Sequence, residues 1–147
     1  MPHRNRLAAL VAAFIWLLTA PLAAQQRIDL PASDRAAIQA IITDQIAAFR
    51  RDDGTSAFGL ASPMIQSMFQ SPETFMETVR GGYQPVYRPR EVTFKDMIDF
   101  RGQPTQTVLV VGPDGVPVMA LYQMQRQPDG SWLINGCTLL KIEDKSV

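Results

Sequence analysis

Residues 105–142 read TQTVLVVGPDGVPVMALYQMQRQPDGSWLINGCTLLKI, and this stretch sets the sheet on which the rest of the chain is arranged. Gly112-Pro113-Asp114-Gly115 and Gln127-Pro128-Asp129-Gly130 repeat one turn signal. Proline presets the first turn position, and glycine accepts the positive φ that closes a short hairpin. The runs Thr105 to Val111, Val116 to Arg126 and Ser131 to Ile142 are therefore expected to be three strands of an antiparallel meander. Leu109 to Val111 and Val118 to Tyr122 are apolar on both faces. A strand wetted on one side alternates, so this part of the sheet should be covered twice. Helices supply one cover; the other is a sheet curling over itself or a second subunit, which makes a homodimer through the sheet an expectation.

Before this meander, the period changes toward two from Tyr87 onward. Val92, Phe94, Ile98 and Phe100 fall on one face of an earlier strand, which makes the sheet four-stranded. Further back the spacing is helical. Ile38, Ile41, Ile42, Ile46 and Phe49 form an apolar stripe with Ser33 as its expected N-cap, Arg50 and Arg51 in the last turn, and Gly54 as the stop. Shorter helices are expected around Ser56 to Leu60 and Pro63 to Phe69. Ser71-Pro72-Glu73 opens a further one, with Phe75, Met76 and Val79 as its inner face and Gly81-Gly82 as its end. The fold class is thus α+β: N-terminal helices packed on an antiparallel, four-stranded sheet.

The first 24 residues read as an export signal. Arg4 and Arg6 precede the uncharged run Leu7 to Leu18, and Thr19 to Ala24 supply the small residues of a cleavage region. A basic start, an apolar centre of 7–15 residues and a small-residue exit are what translocation and cleavage require. The apolar run is too short for a spanning helix, which takes about 20 residues, and Pro21 interrupts its extension. Cleavage is expected after Ala24, leaving residues 25–147 as one secreted, periplasmic domain with no membrane attachment.

The 147 residues carry 14 basic and 14 acidic side chains, one cysteine and one histidine. Balanced charge argues against a nucleic-acid partner, which takes a basic surface. One cysteine excludes an internal disulfide and a thiolate-rich metal site, and Cys137 reads as a small buried apolar residue on its strand. His3 lies in the export signal, so the domain has no imidazole: no nucleophilic triad, no zinc, iron or copper cluster, and no cofactor is expected. Asp52-Asp53 reads as loop chemistry at a helix end.

Two constellations carry the remaining chemistry. Asp96 has the parity of the apolar face; buried there it could act as a general base, with Tyr122 or Tyr87 donating to a developing oxyanion. A β-bulge at Lys95-Asp96 would turn it outward instead, and Met97 favours that reading. Tyr83, Tyr87, Arg88 and Arg90 lie at the junction of helix and strand, stiffened by Pro85 and Pro89. Two guanidinium forks beside two phenols suit an anion, while stacking on the prolines and pairing with Glu91 and Asp99 is the plain alternative. Arg88 and Arg90 share strand parity and should project to one side. Met64, Met68, Met76, Met119 and Met124, with Phe69 and Phe75, supply a soft lining for a small apolar ligand or simply fill the core.

Three helices ahead of a curved meander resemble the cone fold shared by nuclear transport factor two, ketosteroid isomerase and polyketide cyclases. Ala47-Ala48-Phe49-Arg50-Arg51-Asp52-Asp53-Gly54 followed by Ala57-Phe58 looks like that superfamily's first helix and acidic loop, and Trp132-Leu133-Ile134-Asn135-Gly136 like its last strand. Gln45 to Ser62, Gly82 to Arg90 and Gln127 to Cys137 resemble, more closely, a bacterial family of secreted proteins catalogued as domain of unknown function 4864. The resemblance implies the fold, with the sheet curved into a cone, and no activity. The expected function is a non-enzymatic binding module for a small apolar or anionic ligand or a protein partner. The alternatives are a cofactor-free isomerase, dehydratase or cyclase using Asp96 and Tyr122, and a structural envelope-associated protein.

Overall fold

The computed structural model of the protein describes residues 26–142, so the expected export signal lies outside the described residues. Five helices precede four strands: α1 Ala32–Arg50, α2 Gly54–Gly59, α3 Pro63–Phe69, α4 Pro72–Gly82, α5 Gln84–Tyr87, β1 Glu91–Phe100, β2 Gln103–Val111, β3 Pro117–Arg126 and β4 Trp132–Lys141. Each strand pairs antiparallel with the next, in the order β1-β2-β3-β4. The architecture is the α+β arrangement expected, helices against an open antiparallel sheet.

Turn chemistry accounts for the meander. Gly115 and Gly130 take φ +78° and +87°, the region that glycine enters freely. Asp114 accepts a hydrogen bond from the Val116 amide at 3.0 Å, and Asp129 from the Ser131 amide at 2.9 Å. Each proline sets the turn, each aspartate ties its far side, and each glycine supplies the bend.

The helix boundaries differ from the sequence expectation in three places. Helix α1 begins at Ala32, with Pro31 rather than Ser33 at the N-cap and no side-chain cap bond. The fixed φ of Pro31, −48°, is already close to helical, and its carbonyl accepts from the Asp34 and Arg35 amides. Helix α2 starts at Gly54 because Asp53 caps it, accepting from the Ser56 amide at 3.1 Å. The expected strand character from Tyr87 gives way to α5, so β1 begins at Glu91. The Tyr83 carbonyl accepts from both the Val86 and Tyr87 amides and closes that short turn.

One sheet face meets the helices. Ile38, Ile42, Ile46 and Phe49 of α1 pack with Val108, Val110, Ala120, Tyr122 and Met124 in one buried cluster. Each large side chain removed from water here contributes about 1.5–3 kcal/mol. On the other face Leu109, Met119 and Leu140 form one cross-strand row and stay partly exposed. Two bulges re-aim strands. Lys95 and Asp96 together oppose Thr107, and Asn135 is the extra residue where Gln123/Gly136 gives way to Met124/Ile134. The first bulge exchanges the faces of β1: Met97 joins the core, while Ile98 and Phe100 pass to the side away from Val92 and Phe94.

Candidate ligand pocket

The second bulge positions a cavity. At Asn135 strand β4 bends, and the α2–α3 junction docks onto it. Ala61 bridges Ile134, the Ile134 amide donates to the Leu60 carbonyl at 2.9 Å, and the Ser62 amide donates to the Ile134 carbonyl at 2.8 Å. The Ser62 hydroxyl, fully buried, donates to Asn135 Oδ1 at 2.7 Å and caps α3 through the Ile65 amide. Helix α3 is thus fixed at its start, yet none of its residues is buried. Its C-cap, Gln70, takes the left-handed φ of +66° that turns the chain toward α4.

Between α3, α4, α1 and the β3–β4 pair lies a cavity of about 250 Å³. Phe49, Phe69 and Phe75 form its aromatic wall, with Phe69 edge-on to Phe75 at 5.4 Å between centroids. Ile65 and Met68 reach in from α3, and Met68 remains 67% exposed, so it borders the mouth. Among the described residues no charged side chain lines this space. Its amides are committed: Gln45 donates to the Ala57 carbonyl at 3.2 Å, and Gln123 to the Thr138 hydroxyl at 3.2 Å. Gly136 keeps the β4 side open for Gln123, since a Cβ there would lie 2.3 Å from Gln123 Oε1.

Tyr122 and Tyr83 line the same cavity, with Cys137. Tyr122 is 1% exposed, and its hydroxyl is the one buried side-chain polar atom among the described residues with no hydrogen-bond partner. Cys137 sits directly opposite on β4, and its sulfur, a weak acceptor at best, lies beside that hydroxyl. Burial pushes the Tyr122 hydroxyl well up from its ordinary value, and the neighbouring thiol adds to the shift. Burial likewise pushes the Cys137 thiol up to about 12 and raises the Tyr83 hydroxyl. All three groups stay protonated at neutral pH.

The tyrosine and arginine constellation is divided by the fold. Tyr83 alone of the four reaches the cavity. Tyr87 is buried, and its hydroxyl donates to Asp52 and accepts from Arg80 Nε at 3.3 Å. Arg88 stacks on the Tyr87 ring at 3.9 Å and donates to the Phe49 carbonyl, the Tyr87 carbonyl and Asp52 Oδ2, the last two at 3.0 and 2.9 Å. Asp52 itself has φ +54°. The Tyr87 hydrogen bond lowers the Asp52 pKa, with desolvation opposing and Arg88 and Arg80 assisting. This assembly closes the C-terminal end of α1, where unpaired carbonyls and the dipole favour cations. Arg88 does not share strand parity with Arg90, because α5 and the loop after it replace the expected strand. Arg90 is exposed, and its guanidinium lies near Gly115 in the first hairpin turn.

Asp96 lies elsewhere. The bulge turns it outward, where it is 54% exposed and paired with Arg27 at 3.1 Å. It borders a separate, polar groove of about 200 Å³ with Arg35, Lys95 and Gln106, so it shares no cavity with Tyr122. Of the methionines, Met76 and Met124 fill the core, Met119 lies on the outer sheet face, Met64 is exposed, and only Met68 lines the pocket. Sequence reasoning missed Gln45, Thr78 and Gly136 as lining residues. A glycine inside a strand beside an unpaired asparagine was the signal available at Gly136. Among the described residues no three histidine, cysteine or acidic side chains gather in a metal-binding group, and no helix is long and apolar enough to cross a membrane.

The arrangement defines a class: an α+β domain whose helices and antiparallel sheet enclose one uncharged, apolar pocket. Residues 31–147 match the family model described as Domain of unknown function (DUF4864), and the chain belongs to that family. No curated protein and no solved structure matches it.

Proposed function

We propose that the protein is a secreted binding module of the nuclear transport factor two-like cone superfamily, which takes a small, mainly apolar molecule into the pocket beneath α3. The observation that carries this reading is the lining: about 250 Å³ of space walled by phenylalanine, isoleucine, valine and methionine, without one charged group. Empty apolar space costs stability unless a ligand restores the missing contacts, and a cavity of roughly 150 Å³ already holds benzene. A ligand of one ring with a short substituent fits the larger volume. The anionic alternative loses support because Arg88 is committed to α1 and Arg90 faces the hairpin turn. The cofactor-free enzyme reading loses its base, since no carboxylate lines the pocket and Asp96 faces a different groove.

The test is titration of the purified protein with α-methylstyrene, followed by amide NMR. Saturable shifts grouped at Ile65, Phe69, Gly136 and Cys137 are expected. Ile65→Trp, which fills the mouth from an incompletely buried position, should abolish them without unfolding the domain. Absence of saturable shifts, or shifts scattered over the surface and insensitive to Ile65→Trp, defeats the proposal.

A further inference from the structure

The pocket's one anomaly is polar. A buried hydroxyl without a partner costs free energy, and such groups in folded proteins are rare enough that each calls for a reason. Tyr122 pays this cost from the middle of β3, its ring wedged in the core cluster and its hydroxyl sealed from bulk water. Phenylalanine would pack the same space without the penalty. Tyr87 shows the contrast inside the same molecule, because its hydroxyl has both an acceptor and a donor within the protein.

A phenolic O–H donates more strongly than it accepts, and the S–H of Cys137 beside it is a second, weaker donor. The lining amides of Gln45 and Gln123 donate elsewhere in the protein, and their oxygens do not meet the Tyr122 hydroxyl in hydrogen-bond geometry. What the Tyr122 hydroxyl lacks is therefore an acceptor. The hydroxyl is closed to solvent, so an acceptor reaches it only where the side chains packed over the β3–β4 floor give way. Charge narrows the class further. Among the described residues no cation lines the pocket to compensate a carboxylate or phosphate, and an uncompensated buried anion is heavily penalised.

Resting on the apolar-pocket reading above, we infer that the ligand is an uncharged molecule bearing a carbonyl oxygen, such as a small aryl or alkyl ketone, aldehyde or ester, whose oxygen accepts a hydrogen bond from the Tyr122 hydroxyl. The apolar body lies against Phe49, Phe69 and Phe75, and the oxygen points to the β3–β4 floor. Tyr83, half-buried at the mouth, is not the donor that selects it.

The experiment compares acetophenone with α-methylstyrene, which replaces C=O by C=CH₂ at nearly constant shape, with benzoate as the charged control. Dissociation constants are measured at pH 7 on the wild type, Tyr122→Phe and Tyr83→Phe, with melting curves to confirm folding. Tyr122→Phe should weaken acetophenone about tenfold, the usual effect of one lost buried hydrogen bond, and leave α-methylstyrene within about twofold. Tyr83→Phe alters a residue that also lines the cavity and should affect acetophenone and α-methylstyrene alike, and benzoate should bind wild type more weakly than acetophenone does. Equal changes for both probes in Tyr122→Phe overturn the inference while the apolar pocket stands. So does a loss on Tyr83→Phe that is selective for acetophenone, and so does benzoate as the tightest probe. Failure of all three probes to bind overturns the pocket reading itself, and this inference with it.

Discussion

Two regions beside the C-terminal half of helix α1 differ in how their polar groups are treated. At its C-terminal end, Asp52, Arg80, Tyr87 and Arg88 satisfy one another and the Phe49 carbonyl in one closed network. Beneath α3, Tyr122 is left without a partner in a cavity that holds no charge. Charged side chains at a helix-to-strand junction advertise a binding site in sequence, yet here they complete a helix end. The apolar region, which looks like plain core in sequence, is where the structure leaves space and one unpartnered hydroxyl.

The largest break in this contrast would come from Arg88→Ala. It removes two bonds to backbone carbonyls, an ion pair and a stacked stem, so Tm should fall by roughly 8 °C in a domain of this size. Affinity for α-methylstyrene should stay within about twofold, because the hydrophobic wall is untouched. A loss of binding with Tm unchanged would return Arg88 to the site. Next, the two buried tyrosines should respond with opposite signs. Tyr87→Phe strips a satisfied hydroxyl and should lower Tm by roughly 4 °C, whereas Tyr122→Phe removes an orphan and should leave Tm unchanged or raise it by up to about 4 °C. Equal losses from both would mean that Tyr122 has a protein partner after all.

Acid sharpens the comparison at lower amplitude. The folded-state pKa of Asp52 is lowered, so its contribution is complete above the ordinary aspartate value, near pH 4, and disappears as pH falls through the folded value. Wild type should therefore lose its Tm advantage over Asp52→Asn, which tolerates the same left-handed backbone, progressively as pH falls below about 4, and affinity for α-methylstyrene should be flat wherever the protein stays folded. An advantage that does not shrink at all below about pH 4 would remove the carboxylate from the account. The smallest effect concerns Cys137. With its thiol pushed up to about 12, alkylation by iodoacetamide at pH 8 should run far slower than for a free thiol. Bound α-methylstyrene should slow it further, which ties the thiol to the pocket.

How much of this was legible depended on the range of the interaction. The hairpin glycines, the prolines opening α3 and α4 and the stripe of α1 act through neighbours a few residues away, and their reading matches the structure. Ser33 and Tyr87 show the limits of local signals. Proline beside the first and a carbonyl contact across the second gave the chain a competing option. Asp96 depended on one unpaired residue, because a single bulge exchanges the faces of everything after it. Met97 hinted at that exchange. Nothing nearby in sequence hinted that Asp52, 36 positions before Arg88, would take its guanidinium.

The chain's own pattern was enough for the four strands and the principal helices, since periodicity and turn residues are properties of short windows. Tertiary structure alone decided which polar groups were satisfied. Tyr87 and Tyr122 are the same side chain, both buried in the core cluster. Only packing across distant segments gave one of them Asp52 and Arg80 and left the other facing a cavity, because hydrogen bonds close over a few ångströms of space whatever the separation along the chain.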